Sequence, residues 1–451
     1  MRDLVFIAFL AALFGIGIRR PFVLVLTYVY IDIVAPQRLT FLLLNSVPIS
    51  LIAVIAAVGA WAIVDDKRDV RFAPRQLLML LLLIYCGVST STADFPVEAA
   101  EKWSWVWKAL AFAIFLPLTL RTRLRFESLG LFMIFSAASI IIVGGIKTLA
   151  GGGGYGTLNL MQTNNTGLYE SSIISAVAIA IIPLIAFFMK HSMIFPVPDW
   201  RVKLFGCALI FSCLLMPIGT QARTGLICIA VLGLLSLRYT KRRFMYIGLV
   251  GAAFAISIPM LPDSFTARMK TIQGYKSDSS AGTRIAVWAW TWDYANEHPF
   301  GGGFQAYLQN NVRYETETKT ETSGTSETSS KLQIDKARAY HSSYFEMLGE
   351  QGFPGLFLWL AIHIMGLVNM EYLLRKYRNR DVDDDQWIGA LAGALQQGQI
   401  IYLVGAIFVG IAFQPFMFML IGMQIGLSTY ATRRSNEARR GEGFGVQPMQ
   451  T

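Results

Sequence analysis

Apolar runs long enough to cross a bilayer recur along this chain from near residue 4 to near residue 430, leaving no room for a separate soluble domain. A spanning helix needs about 20 mostly apolar residues. Spans are expected near residues 4–18, 21–35, 42–64, 76–92, 106–120, 128–149, 170–189, 202–218, 223–238, 244–261, 354–374, 388–410 and 412–431. The first two runs are short and form either a tilted pair or one partly re-entrant element. The expectation is an all-α polytopic membrane protein with about 12–13 transmembrane helices. The first run follows Met1-Arg2-Asp3 like a signal peptide, but no small-residue cleavage site precedes Arg19-Arg20, so it is kept as structure.

Only 15% of the residues are charged against 54% apolar, and the charges cluster. Basic clusters at 19–20, 67–75, 121–125, 190–203, 238–243, 375–380 and 433–440 follow every second apolar run. Cytoplasmic loops carry the Lys/Arg excess, so these sites belong inside and the intervening loops outside. The net charge of +10 is thereby explained by topology and anionic lipid head groups, with no nucleic-acid partner implied. Cys86, Cys207, Cys213 and Cys228 all lie in apolar runs as small hydrophobes, and no disulfide framework or metal site is implied.

This topology divides the chain into an N-terminal bundle (1–261), one large outer loop (262–353), C-terminal helices (354–431) and an inner tail (432–451). Within the loop, residues 315–330 read ETETKTETSGTSETSS, with no apolar residue to bury, and are expected to form a mobile excursion. Ile285, Trp288, Ala289, Trp292 and Ala295 stand at helical spacing, which predicts an amphipathic helix over 283–296 lying on the membrane surface. A second helix is expected over 340–352, stopped by Gly352-Phe353-Pro354.

Arg223 opens an apolar helix at its outer end, where the positive-inside bias disfavours arginine, so a fixed cation for an anionic head group is the favoured reading over a snorkelling side chain. Arg284 is placed at the start of the surface helix, where the backbone N–H groups and helix dipole also favour an anion; pairing with Asp278 or Asp293 is an equal alternative. His341 ends the polar tract where order resumes, with Tyr344, Glu346 and Glu350 following, and a histidine can take a proton from a sugar hydroxyl near neutral pH. Asn164 and Asn165, in another outer loop, suit sugar hydroxyls or phosphate oxygens, or equally a turn. The tryptophans at 288, 290 and 292 read as an interfacial belt. There is no Asp-rich metal motif, P-loop or Gly-x-Ser-x-Gly elbow, so an outward-facing enzyme would draw on an activated donor already in the membrane, such as a polyprenyl pyrophosphate.

Three segments resemble the O-antigen ligase and polymerase superfamily of bacterial membrane glycosyltransferases: QARTG (221–225), GTRIAVW (282–288) with HPFGGGFQAY (298–307), and HSSYFEMLGEQGFPGL (341–356). The N-terminal third, through RRPF (19–22) and EKW (101–103), is similar to putative O-glycosylation ligases found beside exosortase systems. Those relatives often carry an acidic residue before the paired asparagines; here Gln162-Thr163 precede them. The resemblance implies cofactor-free, metal-independent transfer of a glycan from undecaprenyl pyrophosphate to a lipid, glycan or protein acceptor, with inversion. It places the site on the periplasmic face of the bacterial inner membrane. His341 would be the base and Arg223 and Arg284 the pyrophosphate ligands, with Asn164, Asn165, Tyr344 and Glu350 as further substrate contacts.

Ligase and polymerase readings stay open, since they differ only in the acceptor. A polyprenyl-glycan flippase would also be polytopic and predicts polar residues at mid-membrane, such as Gln396, Gln397 and Gln399. The charged candidates gather at one face, as an enzyme requires and alternating access does not.

Overall fold

A computed structural model describes residues 2–40, 43–44, 47–67, 70–151, 167–168, 170–196, 199–238, 279–322, 325–378 and 385–443. The expected span at 244–261 and the pair Asn164-Asn165 lie outside them. The described helices are α1 (Arg2–Arg19), α2 (Phe22–Val34), α3 (Pro36–Leu39), α4 (Ile49–Val64), α5 (Pro74–Ser91), α6 (Pro96–Thr119), α7 (Arg123–Gly151), α8 (Ser171–Ala180), α9 (Ile182–His191), α10 (Trp200–Gly219), α11 (Arg223–Leu237), α12 (Ser279–Glu297), α13 (Ser343–Tyr377), α14 (Gln386–Gly405) and α15 (Pro415–Gly443). Five stretches are long and apolar enough to cross a membrane: Pro74–Ser91, Arg123–Ala150, Ser171–His191, Trp200–Gly219 and Ser343–Tyr377. α2, α4 and α11 are apolar but shorter. The chain is an all-α polytopic membrane protein.

α14 lies at the centre of the bundle, packed on α8, α9, α11, α13 and α15. Its polar residues are satisfied internally, as a low-dielectric surrounding demands. Gln399 Nε2 donates to His363 O at 3.0 Å and lies 3.0 Å from His363 Nδ1, while Gln424 Nε2 donates to Gln399 Oε1 at 2.9 Å. Gln396 Nε2 donates to Leu367 O at 3.1 Å and to Glu371 at 3.0 Å.

The basic clusters meet at one end of the bundle. Arg125 grips Asp65 through two 2.6 Å bonds, Arg433 Nη2 donates to Arg121 O at 2.5 Å, and Arg123 Nη2 donates to His191 O at 2.5 Å. Arg238 and Arg375 share Glu371, each at 2.6 Å. Segments far apart in the chain thus present their arginines on one face, the arrangement the positive-inside rule demands.

At the opposite end, the glycine-rich segment after α12 is built into α13. The sequence reads Gly352-Phe353-Pro354 as a helix stop, but the structure makes it a kink within α13, with Gly352 at φ 63° and ψ −168°. The helix resumes because Pro354 lies in the first turn after the kink, where a missing N–H costs nothing. The donor orphaned by the kink, Phe353 N, goes to Pro299 O at 2.9 Å, while Gly302 N and Gly303 N donate to Gly349 O at 3.1 Å and Glu350 O at 2.9 Å. A Cβ at Gly352 would fall on Pro299 O and the Phe300 backbone.

The polar tract expected to be a mobile excursion is instead a two-stranded antiparallel hairpin, β1 (Asn311–Thr322) paired with β2 (Thr325–Lys336) from Asn311↔Lys336 to Thr322↔Thr325. Threonine at every second position of Glu315 to Thr322 is the period of a strand, and its branched Cβ favours extended backbone. α12 forms where expected: Thr283, Val287, Thr291 and Ala295 are buried against the protein, whereas the large apolar Ile285 and Trp292 are 60% and 53% exposed. The small residues admit close packing against α13 and β1.

Gly352→Ala is expected to cost about 1–3 kcal/mol through left-handed strain and the Pro299 clash. Gly15→Ala, where an added Cβ meets nothing within 4 Å, is expected to be neutral. Thermal unfolding of the two variants in one detergent checks this.

Candidate functional site

The end of the bundle opposite the basic face holds one buried cation between two carboxylates. Lys102 Nζ lies 2.6 Å from Glu346 Oε1 and 2.8 and 2.7 Å from the two Glu350 oxygens. The spacing of four residues puts both glutamates on one face of α13. Their remaining lone pairs are met by backbone: Gln305 N donates to Glu350 Oε1 at 3.0 Å and Ala412 N to Glu346 Oε2 at 3.1 Å. Phe304 and Phe413 flank the ammonium at 5.3 and 5.9 Å. Four segments, α6, the loop after α12, α13 and the loop after α14, are thereby tied at one point.

Glu350, a substrate contact on the sequence reading, is 0% exposed and is held by Lys102 and by Gln305 N. Tyr344 is also engaged: its hydroxyl donates to Leu403 O at 3.1 Å and its ring stands edge-on to Trp359 at 5.3 Å.

His341 stands immediately before α13 with φ 48°. Histidine enters the left-handed region more readily than most residues, yet the conformation persists only where neighbours hold it. Before it, Tyr340 O accepts from Trp288 Nε1 at 2.9 Å, and Trp288 stacks on Phe345 at 5.1 Å. After it, Ser343 N donates to Ala406 O at 2.8 Å, and Ser343 Oγ donates to Val409 O at 2.8 Å while accepting from Ile411 N at 2.9 Å. The imidazole is thus carried by a turn pinned from α12 on one side and from the loop after α14 on the other. Burial, with the charges of Arg284 and Arg338 nearby, holds the His341 pKa below the ordinary imidazole value of 6.5.

Arg284 falls in the second turn of α12, not at its start as the sequence implies, because Ser279 to Thr283 are already helical. Its guanidinium, not the helix terminus, is what it brings to an anion. Its charge is felt by His341 and by Glu170, the residue capping α8. Burial raises the Glu170 pKa, Arg284 opposes that rise, and Glu346 adds to it. Arg284, His341, Glu170 and Glu346 therefore share one electrostatic neighbourhood.

Arg223 opens α11 as expected. The turn before it is tight: Gln221 has φ 52°, and Ala222 N donates to Pro217 O at 3.1 Å. Gly225 is required there, since a Cβ would stand 2.5 Å from Pro217 Cγ and 2.9 Å from Ser175 Cβ. Thr224 packs on Gly405, its Cγ2 lying 3.7 Å from where a Cβ would be. Ser343 hangs from Ala406, the next residue, so the Arg223 turn and the His341 turn lean on the same end of α14.

Lys102, Glu346 and Glu170 are the members that sequence reasoning did not single out. The four-residue spacing of Glu346 and Glu350 was a visible signal, but the lysine that answers it lies in another helix more than 240 positions away.

Lys102→Met would leave two buried carboxylates without a counter-charge, at a cost of about 3–5 kcal/mol. A lowered unfolding midpoint for this variant, partly recovered when Glu350→Gln is added, is the expected result of a thermal-unfolding comparison.

Residues 1–193 match a family model described as a family of unknown function, and residues 207–360 match one described as O-Antigen ligase. No curated protein matches the chain. The O-antigen ligase segment contains Arg223, Arg284, His341, Glu346 and Glu350, while Lys102 and Glu170 belong to the part matched by the other model. Residues 207–360 therefore carry an O-antigen ligase domain, which supports a membrane glycosyltransferase of ligase or polymerase type.

Proposed function

We propose that this protein transfers a glycan from undecaprenyl pyrophosphate to an acceptor hydroxyl at the face opposite the basic clusters, the periplasmic face of the bacterial inner membrane. The acceptor is a lipid, a glycan or a protein; when it is itself a lipid-linked glycan, the same step is polymerisation. The observation that carries the reading is the placing of His341, fixed in a left-handed turn and kept neutral beside Arg284.

In this reading His341 accepts the proton of the acceptor hydroxyl as the oxygen attacks the anomeric carbon. The bond from that carbon to the pyrophosphate oxygen breaks on the opposite side, so one displacement inverts the configuration. The pyrophosphate gains negative charge as it departs, and Arg223 and Arg284 supply fixed positive charge where it develops, the task a divalent metal performs in other transferases. Losing either contact is expected to cost on the order of 3 kcal/mol, roughly a hundredfold in rate.

Arg284 has a second effect. In the free protein it depresses the His341 pKa, which keeps the base unprotonated but weak. Bound pyrophosphate offsets that charge, so the base strengthens once the donor is in place. The sign follows from the role: His341 must be unprotonated to act as base, so transfer falls as the pH drops through its depressed pKa.

Two results are expected from purified protein and a lipid-pyrophosphate glycan. Arg223→Gln and Arg284→Gln each lower turnover about a hundredfold, and EDTA does not abolish it. In a pH series, the acid limb of kcat/KM for the donor lies below pH 6.5 and that of kcat lies higher. A metal requirement, or an acid limb that ignores the donor, would contradict the proposed chemistry.

A further inference from the structure

At the basic end of the bundle, between α5, α13 and α15, the structure encloses a cavity of about 410 Å³. Its walls include Arg71, Arg75, Asn369, Thr432, Arg433 and Glu437. It lies at the opposite end of α13 from His341 and Lys102, so the transfer site makes no use of it.

Arg75 is what sets this cavity apart from an ordinary gap between helices. It is only 2% exposed. Its Nε donates to Ile362 O at 2.7 Å and its Nη1 to Gln424 Oε1 at 2.8 Å, while Nη2 is buried without a hydrogen-bond partner. Its partners are neutral, and among the described residues no carboxylate forms an ion pair with it. The guanidinium lies across Gly366, where a Cβ would overlap it, so the glycine is what admits the charge. A buried cation held only by neutral acceptors is costly unless an anion comes to it. Glu437, the acid in the wall, stands 3.9 Å from Arg433 Nε, which leaves three arginines facing one carboxylate. Arg71 is exposed at the mouth.

We propose that this cavity binds a phosphate-bearing anion at the basic face, its phosphate set between Arg71 and Arg433 and beside the buried charge of Arg75. Apolar wall residues, among them Phe72, Met365 and Ile425, suit the acyl chains of an anionic phospholipid entering from the surrounding leaflet. A soluble phosphate compound offers the same headgroup chemistry. Occupation offsets the buried charge of Arg75, which grips both α13 and α15, so the bound anion stabilises the bundle.

The test uses the full-length protein, delipidated in detergent. Native mass spectrometry measures retention of phosphatidylglycerol against phosphatidylcholine of equal chain length, and thermal unfolding is followed with inorganic phosphate alone. Wild type is expected to prefer phosphatidylglycerol about tenfold, and Arg71→Gln, which removes no internal contact, to lower that preference about fivefold. Lys203→Gln, in another basic cluster, is expected to leave it unchanged. Stabilisation by inorganic phosphate that is lost in Arg71→Gln would assign the site to a soluble ligand and keep the proposal. It is overturned if neither probe binds preferentially, if Arg71→Gln and Arg433→Gln bind as wild type does, or if Lys203→Gln weakens binding equally, since the attraction would then belong to the basic face at large.

Discussion

Lys102 brings one positive charge between Glu346 and Glu350, and much of the end of the bundle opposite the basic face is arranged around that meeting. A buried ion pair contributes little by itself, because desolvation consumes most of the attraction. Its effect lies in the cost of breaking it, which forbids α6 and α13 from sliding past one another. The clasp reaches further through its backbone partners. Gln305 N draws in the loop after α12 and Ala412 N the loop after α14, and that second loop also supplies the acceptors and donors that pin Ser343. His341 is therefore positioned by a network rooted in a buried lysine.

Backbone geometry at this end follows the same logic. Gln221, Gln305 and His341 all adopt left-handed conformations, and each lies in a tight turn that adjoins a charged residue of the site. Such strain is tolerated where packing over-determines it.

Much of this was legible in the sequence, and the reasons separate cleanly. Apolar length and the alternation of basic clusters depend on the solvent, not on any partner, so the bundle and its basic face could be read directly; Asp65 meeting Arg125 and Arg121 meeting Arg433 are the result. QARTG was legible because a helix start is a local event. The kink at Gly352 was not, since its orphaned donor is met by Pro299, far away in sequence. The hairpin at 311–336 was misread because polarity was weighed above the two-residue period of its threonines.

The two ends of α13 carry different groups: the proposed base and arginines at one, an arginine-lined cavity at the other, joined by one kinked helix. The claim that organises this picture is that His341 removes the acceptor proton. The measurement that tests it most directly is turnover of a lipid-pyrophosphate-linked glycan by purified wild type and His341→Ala, with donor binding measured on both. The account predicts that the variant binds donor normally and loses transfer by about two to four orders of magnitude. Transfer at the wild-type rate by a variant that still binds donor would contradict it.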